Sequence, residues 1–384
     1  MLIALTGCGR PAAAVPSEVA EPQARAAAPK VLAELEGGDE RRLQIRQDVL
    51  AIQAECEHAA GGDWTKWQEQ TARYRAVLKA RLDGLKHQGM LIREALVGRD
   101  QPFFETNPRM NLAHLVDPDD WNEFRKARPV VAASRWLRDR GIDLIFVTVP
   151  AMPEVYVEHF LADVPSDGII APHVRKTLLE LLENDVETID SFRLMRSVRH
   201  QCFEFLPADH HWNQFGMSGT VRETARRLGR YRFGRNGRQA PPCTRTVQGP
   251  YTLPPSGDGT DWCPIGRNLL SEDQWQAALG TLPRTMDYVT APDGSPLVDD
   301  PRSPVALIGD SFALNFQELL VRETNLPLRS RWAYGNTTEA FAGFLREPEA
   351  LAGVRVVVWL TSNDSLYKFR NMPEPVLATL RYEN

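Results

Sequence analysis

Val305-Ala306-Leu307-Ile308-Gly309-Asp310-Ser311-Phe312 joins a four-residue apolar run to Gly-Asp-Ser and then to a helical pattern over 312–323. A short apolar, β-branched run closed by a turn signal is the signature of a strand buried on both faces. With a helix starting as the strand ends, the Ser311 hydroxyl falls at the carboxyl edge of a parallel sheet, where α/β proteins bind ligands. It also falls at a helix N-terminus, whose free N–H groups and dipole favour developing negative charge. A serine nucleophile needs both exposure and an oxyanion site. The competing reading is a serine or aspartate that only caps the helix.

The same texture extends outward in both directions. Asp143 to Pro150 and Val354 to Leu360 are two further buried-strand runs, and Phe103-Phe104 reads as an earlier first strand. Helical patterns at 129–140, 173–184 and 338–346 alternate with them. That alternation predicts an α/β fold, a parallel sheet with helices on both faces. Ahead of it, residues 38–95 read as two helices broken at Gly61-Gly62-Asp63. Ile45, Val49, Ile52 and Cys56 form the first apolar stripe; Trp64, Trp67, Tyr74, Val77, Leu78, Leu82 and Leu85 form the second. This hairpin either packs on the main domain or serves as a partner-binding arm. Residues 230–303 do not fit the alternation. They are dense in Pro, Gly, Trp and Asp, with one short helix from Glu272 to Leu279, and read as a long insertion of the kind that forms lids or binding loops.

The 384 residues are 43% hydrophobic and 25% charged, with a formal net charge of −5. This composition excludes a disordered chain, and a mild acidic excess leaves no electrostatic footprint for nucleic acid. No stretch approaches the roughly 18 apolar residues of a membrane-spanning helix. Of the five cysteines, Cys56, Cys202, Cys243 and Cys263 form no CxxC pair, which argues against a zinc ribbon. Cys243 and Cys263 share one loop-rich stretch. They form a disulfide in an oxidising compartment or stay as two thiols.

Asp209-His210-His211-Trp212 is the second chemical signal. In an extended segment, residues two apart point the same way, so Asp209 can fix the tautomer of His211 and stabilise its imidazolium. Asn213 then caps a helix around Thr220 to Leu228. A metal reading of Asp209, His210 and His211 finds no further ligand cluster at suitable spacing, and neither metal nor cofactor is expected. Trp212 reads as packing that holds the loop, with sugar stacking as the alternative. Trp262, Trp275, Trp332 and Tyr334 read first as core packing, with sugar contact as the alternative. Taken together, Asp209, His211 and Ser311 meet the full requirement of a nucleophile, its base and an orienting acid.

Gly309-Asp310-Ser311-Phe312 resembles the nucleophile block of SGNH hydrolases, and Thr361-Ser362-Asn363-Asp364 resembles their Gly-x-Asn-Asp block. Gly335-Asn336 sits where their oxyanion glycine block would fall. Their Asp-x-x-His block normally comes last, whereas here an Asp-x-His-Trp block precedes the serine. That permuted order resembles the alginate O-acetyltransferases of the AlgX/AlgJ type, as do Ala95 to Asp100 and Val147 to Tyr156. The resemblance covers residues 95–384 and implies a flavodoxin-like sheet. It also implies Ser311, His211 and Asp209 as catalytic residues and Gly335, Asn336 and Asn363 around the oxyanion. The implied activity is O-acetyl transfer to an exported polysaccharide, alginate or another, with an acetyl esterase as the alternative. The implied partner is a membrane-bound O-acyltransferase that supplies acetyl groups.

The chain opens Met1-Leu2-Ile3-Ala4-Leu5-Thr6-Gly7-Cys8, which resembles a bacterial lipoprotein signal ending at a lipidated Cys8. It lacks a basic n-region, and its apolar run is shorter than the roughly 7–15 residues usual there. Residues 9–30, rich in Ala and Pro, read as a tether. The expected organisation is signal and tether over 1–30, a helical segment over 31–95, and an SGNH-like domain over 96–384. The expected location is the periplasm or cell envelope, with a lipid anchor.

Overall fold

The computed structural model describes residues 38–83, 95–97, 104–106, 127–165, 168–201, 203–205, 210–233, 243–248, 273, 285–290, 300–333, 337–347, 349–363, 365–366 and 369. All belong to one compact unit. In chain order, the elements begin with α1 (Gly38–Ala60), α2 (Trp64–Asp83), β1 (Ala95–Val97), β2 (Phe104–Thr106), α3 (Ala127–Arg138) and β3 (Asp143–Val149). They continue with the single turns α4 (Met152–Val155) and α5 (Val157–Phe160), then α6 (Pro172–Glu183), β4 (Glu187–Asp190), α7 (Ser191–Val198) and α8 (Gln214–Leu228). The last are β5 (Cys243–Gln248), β6 (Thr285–Thr290), β7 (Val305–Gly309), α9 (Ala313–Thr324), β8 (Arg329–Trp332), α10 (Thr337–Arg346) and β9 (Val356–Ser362).

Five strands form one all-parallel sheet in the order β4-β3-β9-β7-β8. Every residue of β3, β7 and β9 is buried, so both faces of the sheet are covered. α8 packs on α9, and α6 packs on α3. Counted from β7 and wrapping past the C-terminus, the spatial order is 2-1-3-4-5, that of a flavodoxin-like sheet. The chain simply enters at the fourth strand. The permuted motif order is thus a permutation of the chain through an unchanged sheet. In this order the direction of winding reverses between β7 and β9, and a crevice at their carboxyl ends is the ligand position such sheets favour.

The buried strands β3, β7 and β9 and the longer helices fall where the apolar patterns put them, within a residue or two at most ends, whereas the eight-residue α7 was not expected. Two strands of the main sheet escaped the pattern. β4, Glu-Thr-Ile-Asp, and β8, Arg-Ser-Arg-Trp, are the two edges of the sheet. Edge strands are short and polar, which discourages further pairing, and so carry little apolar signal. Phe104 lies in β2, but β2 pairs antiparallel with β1 in a separate ribbon and is not a strand of the main sheet. The insertion holds regular structure: β5 and β6 form an antiparallel pair, Cys243 opposite Thr290. β6 lies against α9, the helix that follows the Gly-Asp-Ser turn. The Glu272–Leu279 helix lies outside the described residues apart from Asp273.

The helical pair packs on the main domain as a hairpin. Gly61 and Gly62 make its turn at φ +63° and +80°, a region that costs other residues strain. On α1, Ile45, Ile52 and Cys56 are buried as expected. Between them runs a heptad of charged anchors that the apolar stripe hid. Arg41 Nη1 meets Asp185 Oδ1 at 3.0 Å, Asp48 Oδ2 meets Arg227 Nη2 at 3.2 Å, and Glu55 Oε1 meets Arg193 Nε at 2.7 Å. On α2, Trp67 and Leu78 are buried, but Val77 is 52% exposed and leaves the stripe. It stands one position before Leu78, and neighbours in a helix are about 100° apart, so both cannot face the core. The side chains of Leu82 and Leu85 lie outside the described residues.

Candidate active site

Gly309 ends β7 where the chain must pass close to its neighbours. A Cβ there would sit 2.6 Å from Ala313 Cβ and 3.2 Å from the Leu360 carbonyl oxygen. Asp310 follows, fully buried. Its Oδ2 accepts from the Ser362 N–H at 2.8 Å and the Ser362 hydroxyl at 2.9 Å, and its Oδ1 accepts from the Phe312 N–H at 3.1 Å. Burial, the largest effect, pushes the Asp310 carboxyl above the ordinary range; those three bonds pull it back. Asp310 therefore clamps the turn after β7 to the end of β9. Its neighbour Ser311 is only 9% exposed, and α9 starts two residues later.

Ser311 Oγ lies 2.8 Å from His211 Nε2, across 100 residues of sequence. His211 is 6% exposed and packs on the Phe312 ring, with centroids 4.7 Å apart. The His210 ring lies tilted against His211, with centroids 4.0 Å apart. Two residues hold this loop in place. Trp212 donates from Nε1 to the Phe312 carbonyl at 3.2 Å and stacks on Phe316, at 5.7 Å and 10°. Asn213 donates from Nδ2 to the Phe203 and Phe205 carbonyls, and its Oδ1 accepts from the Phe215 and Gly216 N–H groups as the N-cap of α8. Gly216 admits the backbone of Glu204, since a Cβ there would run into the Glu204 carbonyl oxygen. At 1% exposed, Trp212 offers no face for a sugar, so its role is packing.

Asn363, just past β9, is buried. Its Nδ2 donates to Glu154 Oε1 at 3.1 Å and Oε2 at 3.3 Å, while its Oδ1 has no partner among the described residues. Glu154 also accepts from the Ala151 N–H at 2.8 Å, which ties the end of β3 to the end of β9. Sequence reasoning passed over Glu154; the signal was an acid directly after Pro153 at the start of a helical turn that ends a buried strand. Asp209, Tyr334, Gly335, Asn336, Trp262, Trp275, Cys263 and Cys8 lie outside the described residues, as does the side chain of Cys243. Trp332 ends β8, half-buried. No group of three or more His, Cys, Asp or Glu suited to a metal occurs among the described residues, and no described helix is long and apolar enough to cross a membrane.

A family model for the SGNH hydrolase-like domain of acetyltransferase AlgX matches residues 96–362. The chain belongs to this family. It is accordingly an enzyme, an O-acetyltransferase on an SGNH hydrolase-like fold. No curated protein matches it. Among solved structures, it is similar to the O-acetyltransferase domain of Pseudomonas putida AlgJ, with 18% identity and a TM-score of 0.54 over 76% of this chain and 99% of that one. It is also similar to Pseudomonas aeruginosa AlgX, with 14% identity, a TM-score of 0.43, and coverage of 66% and 61%. Bacillus cereus PatB1 follows, with 12% identity, a TM-score of 0.40, and coverage of 72% and 100%.

Two buried acids near the AlgX-family site make a testable pH signature. Burial pushes Glu154 from about 4.5 up to about 7. It pushes Glu204, which shares a 3.3 Å hydrogen bond with the Tyr156 hydroxyl behind the His211 loop, up to about 8. The folded protein thus keeps protons that the unfolded chain releases near 4.5. Between those values the native state binds more protons, so stability falls as pH rises and levels off above the folded values. Glu154→Gln with Glu204→Gln is expected to flatten this decline. Urea midpoints of wild type and variant, compared at about pH 5 and about pH 8.5, check it; equal slopes would contradict the assignment.

Proposed function

We propose that Ser311 takes an acetyl group from a donor and passes it to a hydroxyl of an exported polysaccharide. The observation that carries this reading is the 2.8 Å approach of His211 Nε2 to Ser311 Oγ at the carboxyl end of β7. His211 accepts the Ser311 proton as Oγ attacks the acetyl carbonyl carbon. Asp209 orients the imidazole and stabilises its charged form. The tetrahedral oxyanion is met by N–H groups at the start of α9, with Gly335, Asn336 and Asn363 as the further candidates. His211 then returns the proton to the departing donor oxygen, leaving acetyl-Ser311. An acceptor hydroxyl gives its proton to His211 and attacks the ester; the acetyl group moves, and Ser311 Oγ recovers its proton.

Family membership supports the reaction class. The acceptor is read from the resemblance to alginate O-acetyltransferases and is set as an exported polysaccharide, with alginate as one candidate. The Cys8 signal and the tether over 9–30 support work at the periplasmic side of a membrane, next to a membrane-bound O-acyltransferase that delivers acetyl groups. The test uses the full chain with 4-nitrophenyl acetate, with and without polysaccharide oligomers. Acetylated oligomer, absent with Ser311→Ala, is the expected result. Nitrophenol release with acetate as the sole product would replace this reading with an acetyl esterase.

A further inference from the structure

We infer, on the basis of the oxyanion role proposed above for Asn363, that Glu154 is a positioning residue: it holds the Asn363 amide so that one N–H is left for the oxyanion at Ser311. Topology brings the three residues to one place. β3, β9 and β7 are consecutive in the sheet, with neighbouring strands about 4.8 Å apart. Glu154 lies in α4, the single turn after β3; Asn363 directly follows β9; Ser311 lies two residues past β7. Ser362 binds Asp310 through both its N–H and its hydroxyl. Asn363 and Ser311 are the next residues on the two segments that this clamp joins.

The hydrogen bonds fix which way the amide faces. A carboxylate only accepts, so it takes Nδ2 and turns Oδ1 away. Both Glu154 oxygens accept from that one nitrogen, at 3.1 and 3.3 Å. The two N–H groups of an amide diverge too widely for one carboxylate to take both, so a single N–H is shared between the oxygens. The second N–H and Oδ1 have no partner among the described residues, although Asn363 is only 1% exposed. Buried polar groups are normally paired, so a spare donor beside a nucleophile is a group with work at the site.

Glu154 is itself held in place. It is buried, and it accepts from the Ala151 N–H at 2.8 Å as well as from Asn363. Burial, the largest effect, opposes its charge; the Ala151 N–H, Arg175 from α6 and Asn363 favour it, and Asp190 at the end of β4 opposes it. Arg175 is in turn paired with Asp190. A carboxylate fixed in this way cannot turn with the amide it holds. A donor whose direction is set before the reaction stabilises developing charge without reorganising, and that is the service Glu154 performs through Asn363.

The test is a double-mutant cycle of Glu154→Gln and Asn363→Ala in the full chain, with kcat and KM measured on 4-nitrophenyl acetate. The assay runs at about pH 8.5, above the Glu154 value of about 7, so the wild-type group is an acceptor only. Glutamine keeps the size and an acceptor for the Ala151 N–H, but it offers a donor as well and no longer dictates the amide's orientation. Formation and breakdown of acetyl-Ser311 both pass through the oxyanion, so kcat reports it whichever is slower. Asn363→Ala is expected to lower kcat about 100-fold, the loss for one oxyanion donor. Glu154→Gln is expected to lower kcat about tenfold with KM unchanged, and to cost nothing further in the Asn363→Ala background. Rates are compared at temperatures where all four proteins are folded. A wild-type kcat in Glu154→Gln, a change confined to KM, or the same loss in both backgrounds overturns the inference. Turnover that depends on Ser311 but ignores Glu154 sinks this inference alone; turnover that survives Ser311→Ala sinks the acetyl-serine reading and this inference with it.

Discussion

Ser311→Ala is expected to lower acyl-transfer turnover by about 10⁴-fold or more, and His211→Ala by a similar factor. The double variant is expected to be no slower than either single one. The reason is structural. Ser311 Oγ and His211 Nε2, 2.8 Å apart, act as one proton-transfer unit, so removing the second partner takes away nothing that still works. A hydroxyl without its base is a poor nucleophile at neutral pH, and a base without its hydroxyl has nothing to activate. Initial rates on 4-nitrophenyl acetate give the three values. Losses that multiply in the double variant would mean that the two side chains contribute separately. Ser311→Ala is expected to unfold at nearly the wild-type urea concentration, whereas the two proteins with His211→Ala lose a buried ring packed on Phe312 and unfold somewhat earlier, so the rates are compared where all are folded.

Trp212→Ala is expected to cost about 3–5 kcal/mol of stability, the range for emptying a buried aromatic site. Trp212 is among the largest fully buried side chains, is stacked on Phe316, and joins the His211 loop to the Phe312 carbonyl. Its loss therefore frees the base as well as the core. Turnover is expected to fall even at temperatures where the variant stays folded, because a misplacement of about 1 Å can cost 10²-fold in rate. Trp212→Phe keeps a ring against Phe316 but loses the Nε1 donor; removing that one bond costs about 1 kcal/mol. Urea unfolding and turnover, measured on both variants, separate the two contributions. Wild-type stability in Trp212→Ala would contradict the packing described here.

The catalytic edge was legible because its determinants are local. Val305 to Phe312 carries an apolar strand, a turn and a helix start in eight consecutive residues, and the structure makes those elements. Asn213 is visible as a cap for the same reason, since a cap bonds to N–H groups only two and three residues away. What stayed hidden depends on distant partners. Glu187 in β4 reads as a surface acid until Arg227 from α8 and Arg230 just past its end arrive, at 3.1 and 2.5 Å. Glu154 finds Asn363 only after β3 and β9 pair, 209 residues apart in sequence. The anchors Arg41, Asp48 and Glu55 resemble ordinary exposed helix charges until α1 lies against Asp185, Arg227 and Arg193. Permutation of the blocks was visible as motif order, but its physical meaning, one sheet entered at a different strand, needed the pairing of β3 with β9.

The central claim is that Ser311 carries the acetyl group. The direct measurement is the intact mass of the full chain, acid-quenched within its first turnovers of 4-nitrophenyl acetate, with peptide mapping of the modified residue. The account predicts one added acetyl group on the peptide containing Ser311, lost on adding an acceptor oligomer and absent from Ser311→Ala. Acetyl transfer with no adduct on that peptide, or with the adduct on another residue, would contradict it.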